Sequence, residues 1–138
     1  MSARWSDFDD FNDLGIGAFP EHCGLRFLDH GEGWLRSELT VDSRVMAPNG
    51  FLHAGAVVTL ADTSCGYGVR TCAPEGSIGF TTVELKSNFV GTALDGVVSC
   101  DARLQHGGRS TQVWDATVTH GDRTIALFRC TQMILYPR

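Results

Sequence analysis

The sequence contains no apolar run of the roughly 18 residues that a membrane-spanning helix requires. Its first 20 residues form an acidic lead segment, with Asp7, Asp9 and Asp10, and lack the basic start and apolar centre of a secretory signal peptide. We therefore expect a cytoplasmic protein without a membrane partner. Basic residues are also few: 11 Lys and Arg stand against 16 Asp and Glu, and the net charge of −5 gives no basic face for nucleic acid.

Cysteine and histidine are too dispersed for a metal site. The five cysteines form no Cys-x-x-Cys pair, and the five histidines show no ligand spacing. An odd and scattered set of cysteines is typical of free thiols that are buried as small apolar side chains. We expect no metal.

Glycine motifs for other chemistries are missing as well. No Gly-x-Ser-x-Gly elbow occurs, which disfavours a hydrolase of that type. Neither a Walker motif nor a dinucleotide-binding glycine pattern occurs, and we expect no cofactor.

The 138 residues, of which 43% are hydrophobic, are enough for one packed domain spanning residues 1–138. A short helix is expected around residues 7–14 of the lead segment. Apolar residues at helical spacing predict one long helix at residues 53–72, which ends before Pro74 and Gly76.

The remaining segments have the alternation of β-strands. Residues 25–28 and 34–41 flank a Gly-containing turn, and residues 44–52 form a loop. Asp-Gly, Gly-Gly and Gly-Asp pairs predict that the later strands form a four-strand meander. These strands are expected at residues 80–90, 96–106, 110–120 and 123–136. We expect an α+β fold in which five to six antiparallel strands wrap around the long helix, with a second copy of the chain as partner.

The segment with the most chemical content is the loop from Asn49 to Gly55 and the apolar helix after it. One acid, Asp62, lies in that apolar stretch. A buried carboxylate must be partnered or kept neutral by a raised pKa, and either state suggests chemistry. The alternative interpretation is an ordinary core carboxylate bonded to a nearby Ser or Thr.

The start of this helix offers backbone donors for an oxyanion. The Ala54 and Gly55 N–H groups have no acceptor within the helix, and the helix dipole favours negative charge there. Asp62 lies eight residues further on, which is roughly 12 Å along a helix axis. One helix cannot bring both groups to one atom, whereas two antiparallel copies can. A site that uses both must therefore straddle a two-fold homodimer interface.

Simpler interpretations stay open for the neighbouring motifs. His53 also fits an ordinary first-turn residue that orders the loop, and Asn49-Gly50 fits a plain turn. The turn Gly107-Gly108-Arg109-Ser110-Thr111 offers N–H groups, two hydroxyls and a cation to a phosphate, but a plain hairpin fits equally well.

With these residues in view, the chain resembles the hotdog-fold acyl-CoA thioesterases, in particular the PaaI-like group of the phenylacetate-degradation type. The likeness covers residues 23–136. It is carried by Gly50-Phe51-Leu52-His53-Ala54-Gly55, by Leu60-Ala61-Asp62-Thr63 with Gly66, and by Thr81-Thr82-Val83-Glu84-Leu85-Lys86-Ser87-Asn88-Phe89. Two positions depart from the family pattern. Its first motif Gly is Ala54 here, and its Asn or Gln six residues before the His is Ala47, so that Asn49 is the nearest amide.

The resemblance implies roles for these residues. Asp62 would act as general base or nucleophile, and the Ala54 N–H would donate to the oxyanion. His53 and Asn49 would hold the loop and the carbonyl, and Thr82 would orient the water. The implied substrate and CoA contacts are Gly55, Phe51, Thr81, Gly108, Arg109 and Ser110. The resemblance also implies that helix start and carboxylate come from different subunits of a homodimer, and that dimers pair into a homotetramer.

We therefore expect hydrolysis of acyl-CoA thioesters with an aryl or medium-chain acyl group. The acyl pocket is expected to be lined by Phe51, Leu60, Tyr67, Phe80 and Phe89. One alternative is a non-catalytic acyl-CoA binder, which Ala47 favours and Asp62 opposes. The other is a hotdog dehydratase or hydratase, whose usual His/Asp arrangement is not found.

Overall fold

The computed structural model describes Trp5 and residues 10–138, in which an antiparallel sheet wraps around one long helix. The strands are β1 (Leu25–Gly31), β2 (Trp34–Thr40), β3 (Gly79–Phe89), β4 (Val97–Gly107), β5 (Thr111–His120) and β6 (Arg123–Leu135). The helices are α1 (Phe19–Cys23) and α2 (Ala54–Val69), and 3-10 segments lie at Phe11–Gly15, Ser43–Val45 and Arg70–Cys72.

The sheet has the strand order β1-β2-β4-β5-β6-β3, and every neighbouring pair is antiparallel. The turns predicted between β1 and β2, β4 and β5, and β5 and β6 are confirmed. The four-strand meander is wrong for β3, because β3 pairs with β6 at the far edge while β4 pairs with β2. The Asp95-Gly96 pair signals a turn but does not specify the partner strand. The Gly96 carbonyl accepts from the Val41 N–H at 2.8 Å, which brings β4 to the side of β2.

Helix α2 packs against all six strands and forms the centre of the core. Small residues allow this close approach, because a Cβ on Gly68 would lie 2.6 Å from the Trp114 ring. The other fully buried large side chains include Leu35, Leu39, Leu60, Val69, Val98, Val118 and Ile125. The predicted long helix is confirmed with narrower bounds: His53 is its N-cap, and Arg70–Cys72 continue it as a 3-10 turn.

The segment before β1 contains more local structure than its sequence pattern predicts. Residues 7–9 of the short helix expected at 7–14 lie outside the described residues, and the rest forms a 3-10 segment that the Asp10 side chain caps at Asn12 N. Helix α1, which the sequence did not predict, follows with Pro20 in its first turn and Gly24 in the left-handed conformation at its end.

All five cysteines are free thiols, and only Cys72 is partly exposed. Burial raises the pKa of Cys100 to about 12, so this thiol stays neutral at physiological pH. Over Trp5 and residues 10–138, no group of three or more His, Cys, Asp or Glu side chains is placed to hold a metal ion. Among these residues, none of the helices combines the length and the hydropathy that a membrane span needs.

Candidate active site

A closed loop precedes α2 and fixes how the helix begins. The Ala47 N–H donates to the Phe51 carbonyl at 2.7 Å, and the Gly50 N–H donates to the Ala47 carbonyl at 3.0 Å. Asn49 Oδ1 accepts from the Phe51 N–H at 3.2 Å, and Gly50 has a φ of 87° that favours glycine. Asn49 therefore performs the turn role. Its Nδ2 has no acceptor among the described residues, so the amide keeps a free donor.

His53 caps α2 and occupies one of the two predicted oxyanion donors. Its Nδ1 accepts from the Gly55 N–H at 2.7 Å, so the neutral ring carries its proton on Nε2. The His53 carbonyl accepts from the Ala56 and Val57 N–H groups at 2.9 and 3.3 Å. The Ala54 N–H has no acceptor in the part of the chain that the structure describes. The Ala54 N–H is therefore the donor left for a ligand, while the Gly55 N–H is not.

His53→Ala should lower the free energy of unfolding by about 1 kcal/mol, because the Gly55 N–H loses its cap. His53→Asn should restore most of that loss, since Asn is among the best N-cap residues. Urea unfolding of both variants measures the difference. Equal stability of His53→Ala and wild type would show that the cap contributes nothing.

A cavity of about 470 Å³ opens at the Ala54 end of α2. Its lining includes Ala47, Asn49, Phe51, His53, Ala54 and Phe89. Asp62 does not line it, in agreement with the roughly 12 Å of helix between Ala54 and Asp62. Within one protomer, the structure keeps the predicted oxyanion donor and the predicted carboxylate apart.

The residues expected in the acyl pocket separate into two groups. Phe51 and Phe89 line the cavity, and both are exposed in the single chain. Leu60 is fully buried in the core and is not among the residues that line the cavity beside Ala54, so its role in the acyl pocket stays a prediction. Tyr67 and Phe80 pack elsewhere: Tyr67 lies 4.9 Å from the Phe27 ring, and Phe80 lies 5.9 Å from the Trp5 ring.

Asp62 lies in the middle of α2, where the helix faces β3. The Thr82 hydroxyl on β3 lies 3.3 Å from Asp62 Oδ1, so the structure brings together two residues that the sequence analysis selected. Burial raises the pKa of Asp62, and the hydrogen bond from Thr82 opposes this by favouring the charged form. The carboxylate is therefore a stronger base than an exposed aspartate, and no charged partner neutralises it within the described residues.

One residue of this cluster was missed by sequence reasoning. Gln132 on β6 is fully buried, and its side-chain amide lies 3.0 Å from the Thr82 hydroxyl. Thr82 and Gln132 are direct cross-strand partners in the β3–β6 register. A polar residue at an inward position of a strand is the signal that would have identified it, because the neighbouring inward residues Cys130 and Ile134 are apolar.

The predicted phosphate contacts lie in the turn between β4 and β5. The Gly108 N–H donates to the Thr111 carbonyl at 2.9 Å, so this donor is used inside the hairpin. The Arg109 guanidinium stacks 5.0 Å from the Tyr136 ring centroid, and the Tyr136 hydroxyl donates to the Arg109 carbonyl at 2.5 Å. These two contacts stabilise the turn, and the guanidinium of Arg109 remains exposed on it.

The chain matches the family model described as the thioesterase superfamily over residues 49–127. It is 32% identical over 124 residues to a putative esterase of Pasteurella multocida, which covers 89% of this chain and 88% of the relative. It is 30% identical over 112 residues to the 1,4-dihydroxy-2-naphthoyl-CoA hydrolase of Listeria monocytogenes, with coverage of 80% and 90%.

Solved structures have the same fold. A mutant thioesterase from Pseudomonas aeruginosa superposes with a TM-score of 0.87 at 27% identity, over 96% of this chain and 99% of that one. A thioesterase from Haemophilus influenzae gives a TM-score of 0.87 at 26% identity, over 97% and 96%. These likenesses confirm the predicted hotdog fold and the predicted family resemblance.

Proposed function

The chain belongs to the thioesterase superfamily and is a hydrolase. We propose that it cleaves acyl-CoA thioesters to a free acid and CoA. The observation that carries the proposal is the partly buried Asp62 carboxylate, which Thr82 contacts and which no cation neutralises within the described residues. The relative from Listeria monocytogenes is named as a hydrolase of an aryl-CoA, 1,4-dihydroxy-2-naphthoyl-CoA.

The proposed reaction needs one base and one oxyanion donor. Asp62 of one chain takes a proton from water, and the water oxygen forms a bond to the thioester carbonyl carbon. At the same time, the Ala54 N–H of the other chain donates to the developing oxyanion. Collapse of the tetrahedral intermediate breaks the C–S bond, and the CoA thiolate recovers the proton from Asp62. A thiolate is a good leaving group, so no separate strong acid is required at the sulfur.

The proposed site needs two chains, and the exposed edge of β3 supports such a dimer. β3 is an edge strand of 11 residues, and Val83, Leu85 and Phe89 on it are 50%, 41% and 47% exposed. A long edge strand with exposed apolar side chains is a template for pairing with another chain. Thr82 lies on this strand, so β3–β3 pairing would place the partner's helix start beside Asp62. A homotetramer of two such dimers, and a cytoplasmic location, stay predictions.

The acyl group is proposed to be aryl or medium-chain aliphatic. Phe51 and Phe89 present aromatic surface to the cavity beside Ala54. Aromatic walls next to a polarising donor favour a flat or short apolar acyl group over a long chain.

The proposal is tested by thiol release from phenylacetyl-, hydroxybenzoyl-, hexanoyl- and lauroyl-CoA with a chromogenic thiol reagent. We expect turnover of the aryl and hexanoyl substrates to exceed that of lauroyl-CoA. Tight binding of all four without thiol release, by folded protein, would replace the enzyme proposal with the acyl-CoA binder. Ala47 in the cavity favours that second candidate, because the amide that the resemblance places there is missing.

Arg109→Ala should raise KM for acyl-CoA several-fold and leave kcat nearly unchanged, because the turn would lose a cation that contacts CoA phosphate. The matched substrate is the same acyl group on N-acetylcysteamine, which has no phosphates. Its kcat/KM should not change. An equal loss with both thioesters would show that Arg109 acts on the fold, through its stacking on Tyr136, and not on phosphate.

A further inference from the structure

The buried polar cluster behind Asp62 contains a hydrogen-bond conflict. Thr82 Oγ1 lies 3.3 Å from Asp62 Oδ1 and 3.0 Å from Gln132 Oε1, and both of these oxygens are acceptors. A hydroxyl has one proton, so Thr82 cannot donate to both. In the same orientation, the Gln132 Nε2 faces Cys130 Sγ at 3.3 Å, which is a weak acceptor for a fully buried amide.

Exchange of the two ends of the Gln132 amide removes the conflict. The ends have nearly the same shape, so the hydrogen-bond network decides which end faces Thr82. With Nε2 toward Thr82, the amide donates to Thr82 Oγ1, and Oε1 accepts from the Cys130 thiol. The Thr82 proton is then free for Asp62.

We propose that Gln132 is a positioning residue for the carboxylate: its Nε2 donates to Thr82 Oγ1 and thereby directs the single Thr82 proton onto Asp62 Oδ1. The relay runs from the Cys130 thiol through Gln132 and Thr82 to Asp62, and every step has one donor and one acceptor. This inference rests on the proposed role of Asp62 as base, and it adds Gln132 as the residue that orients the hydrogen bond to that base.

Within the described residues, the hydrogen bond from Thr82 is the main polar contact of Asp62. Among the described residues, Asp62 interacts electrostatically with the thiol of Cys65 on α2, and Cys65 in turn contacts the thiol of Cys130 on β6. Burial raises the pKa of Cys65 well above its ordinary value. On β3, Glu84 accepts from Thr131 at 3.1 Å, and Thr131 lies on the opposite face of the sheet from Gln132. No charged side chain of the described residues is among the causes that shift the pKa of Asp62.

Gln112 is a matched control. It is also fully buried, and it is the direct cross-strand partner of Gln132. Its Oε1 accepts from Trp114 Nε1 at 2.9 Å, and its Nε2 donates to the Cys72 carbonyl at 3.2 Å. Its bonds are therefore satisfied without Thr82 or Asp62, and a similar substitution there tests burial of a glutamine alone.

The first test needs no variant. In wild-type protein, through-space proton NMR contacts of the Gln132 side-chain NH2 are compared for the Thr82 γ-methyl and the Cys130 β-protons. Stronger contacts to Thr82 are expected. Stronger contacts to Cys130 would overturn the proposal, and neither result depends on turnover of a substrate.

The second test follows the pKa of Asp62 by carboxyl carbon NMR, with the signal assigned by its loss in Asp62→Asn. Gln132→Met should raise this pKa, because the Thr82 hydroxyl loses its orienting donor. Thr82→Val should raise it too, and adding Gln132→Met to Thr82→Val should change nothing further. Gln112→Met should leave it unchanged.

A pKa of Asp62 that falls or stays constant in Gln132→Met overturns the proposal. If Gln132 Oε1 faced Thr82, it would compete with Asp62 for the Thr82 proton, and its removal would lower the pKa of Asp62 instead of raising it. An equal rise in Gln112→Met also overturns it. In the thioesterase assay, the acid limb of kcat/KM should move upward with the pKa of Asp62 in Gln132→Met. If no substrate is hydrolysed but both NMR results hold, the proposed function fails and the relay stands.

Discussion

Asp62→Asn should lower kcat/KM for acyl-CoA hydrolysis by about 10²–10⁴-fold, because an amide cannot accept the proton from the attacking water. The side chain keeps its size and can still accept from Thr82 through its carbonyl oxygen, so the helix and the β3 contact should persist. Thiol release under saturating and limiting substrate measures the loss. Asp95→Asn, at an exposed turn before Gly96, is the matched control and should retain wild-type turnover.

The same substitution separates catalysis from stability. The folded-state pKa of Asp62 is raised by burial, so its contribution to stability is present below the pKa of an unfolded aspartate and is lost as pH rises through the folded pKa. At neutral pH, Asp62→Asn should therefore be at least as stable as wild type. A variant that is both inactive and strongly destabilised at pH 7 would identify Asp62 as a structural residue and contradict its role as base.

Ala54→Pro should lower kcat by roughly 10²–10³-fold, because it removes one backbone N–H at the start of α2. The local geometry accepts proline. Ala54 is the first residue of the helix, and its N–H has no acceptor among the described residues. The preceding His53 has φ −66° and ψ 133°, the extended conformation that a residue before proline adopts.

Ala54→Gly is the control for this change, since it keeps the N–H and introduces the residue that the family pattern has. It should keep most of the turnover, and circular dichroism should show the same helix content in both variants. Full activity of Ala54→Pro would exclude the Ala54 N–H as oxyanion donor. The donors would then have to come from elsewhere, for example from Asn49 Nδ2 at the same cavity.

The sequence predicted those parts of the fold that local patterns determine. Helix α2 follows from apolar spacing, and the turns at Gly33 and Gly121 follow from residues that tolerate positive φ. Strand pairing is a long-range choice, and an Asp95-Gly96 turn looks the same whether the next strand pairs with β3 or with β2. Helix α1 was missed because five residues are too few to show periodicity.

Sequence patterns indicate a site residue where its polarity differs from that of its neighbours. Asp62 stands out as an acid in an apolar helix, and the family motif added Thr82 from a distant strand. The capping of Gly55 by His53 could not be read from sequence, because it depends on a side-chain rotamer. Gln132 gave no motif at all. Its sequence signal is only that of a polar residue between the apolar Cys130 and Ile134, and its contact with Thr82 follows from the register of β3 and β6.

A mixed-dimer experiment tests whether each active site uses Ala54 of one chain and Asp62 of another. Asp62→Asn and Ala54→Pro chains, each inactive alone, are co-refolded in equal amounts and assayed for thiol release. A two-subunit site predicts that random pairing restores about a quarter of wild-type activity, since half of the dimers are mixed and each mixed dimer has one intact site. Activity that stays at the level of the inactive parents, in mixed dimers shown to form, would contradict a shared site.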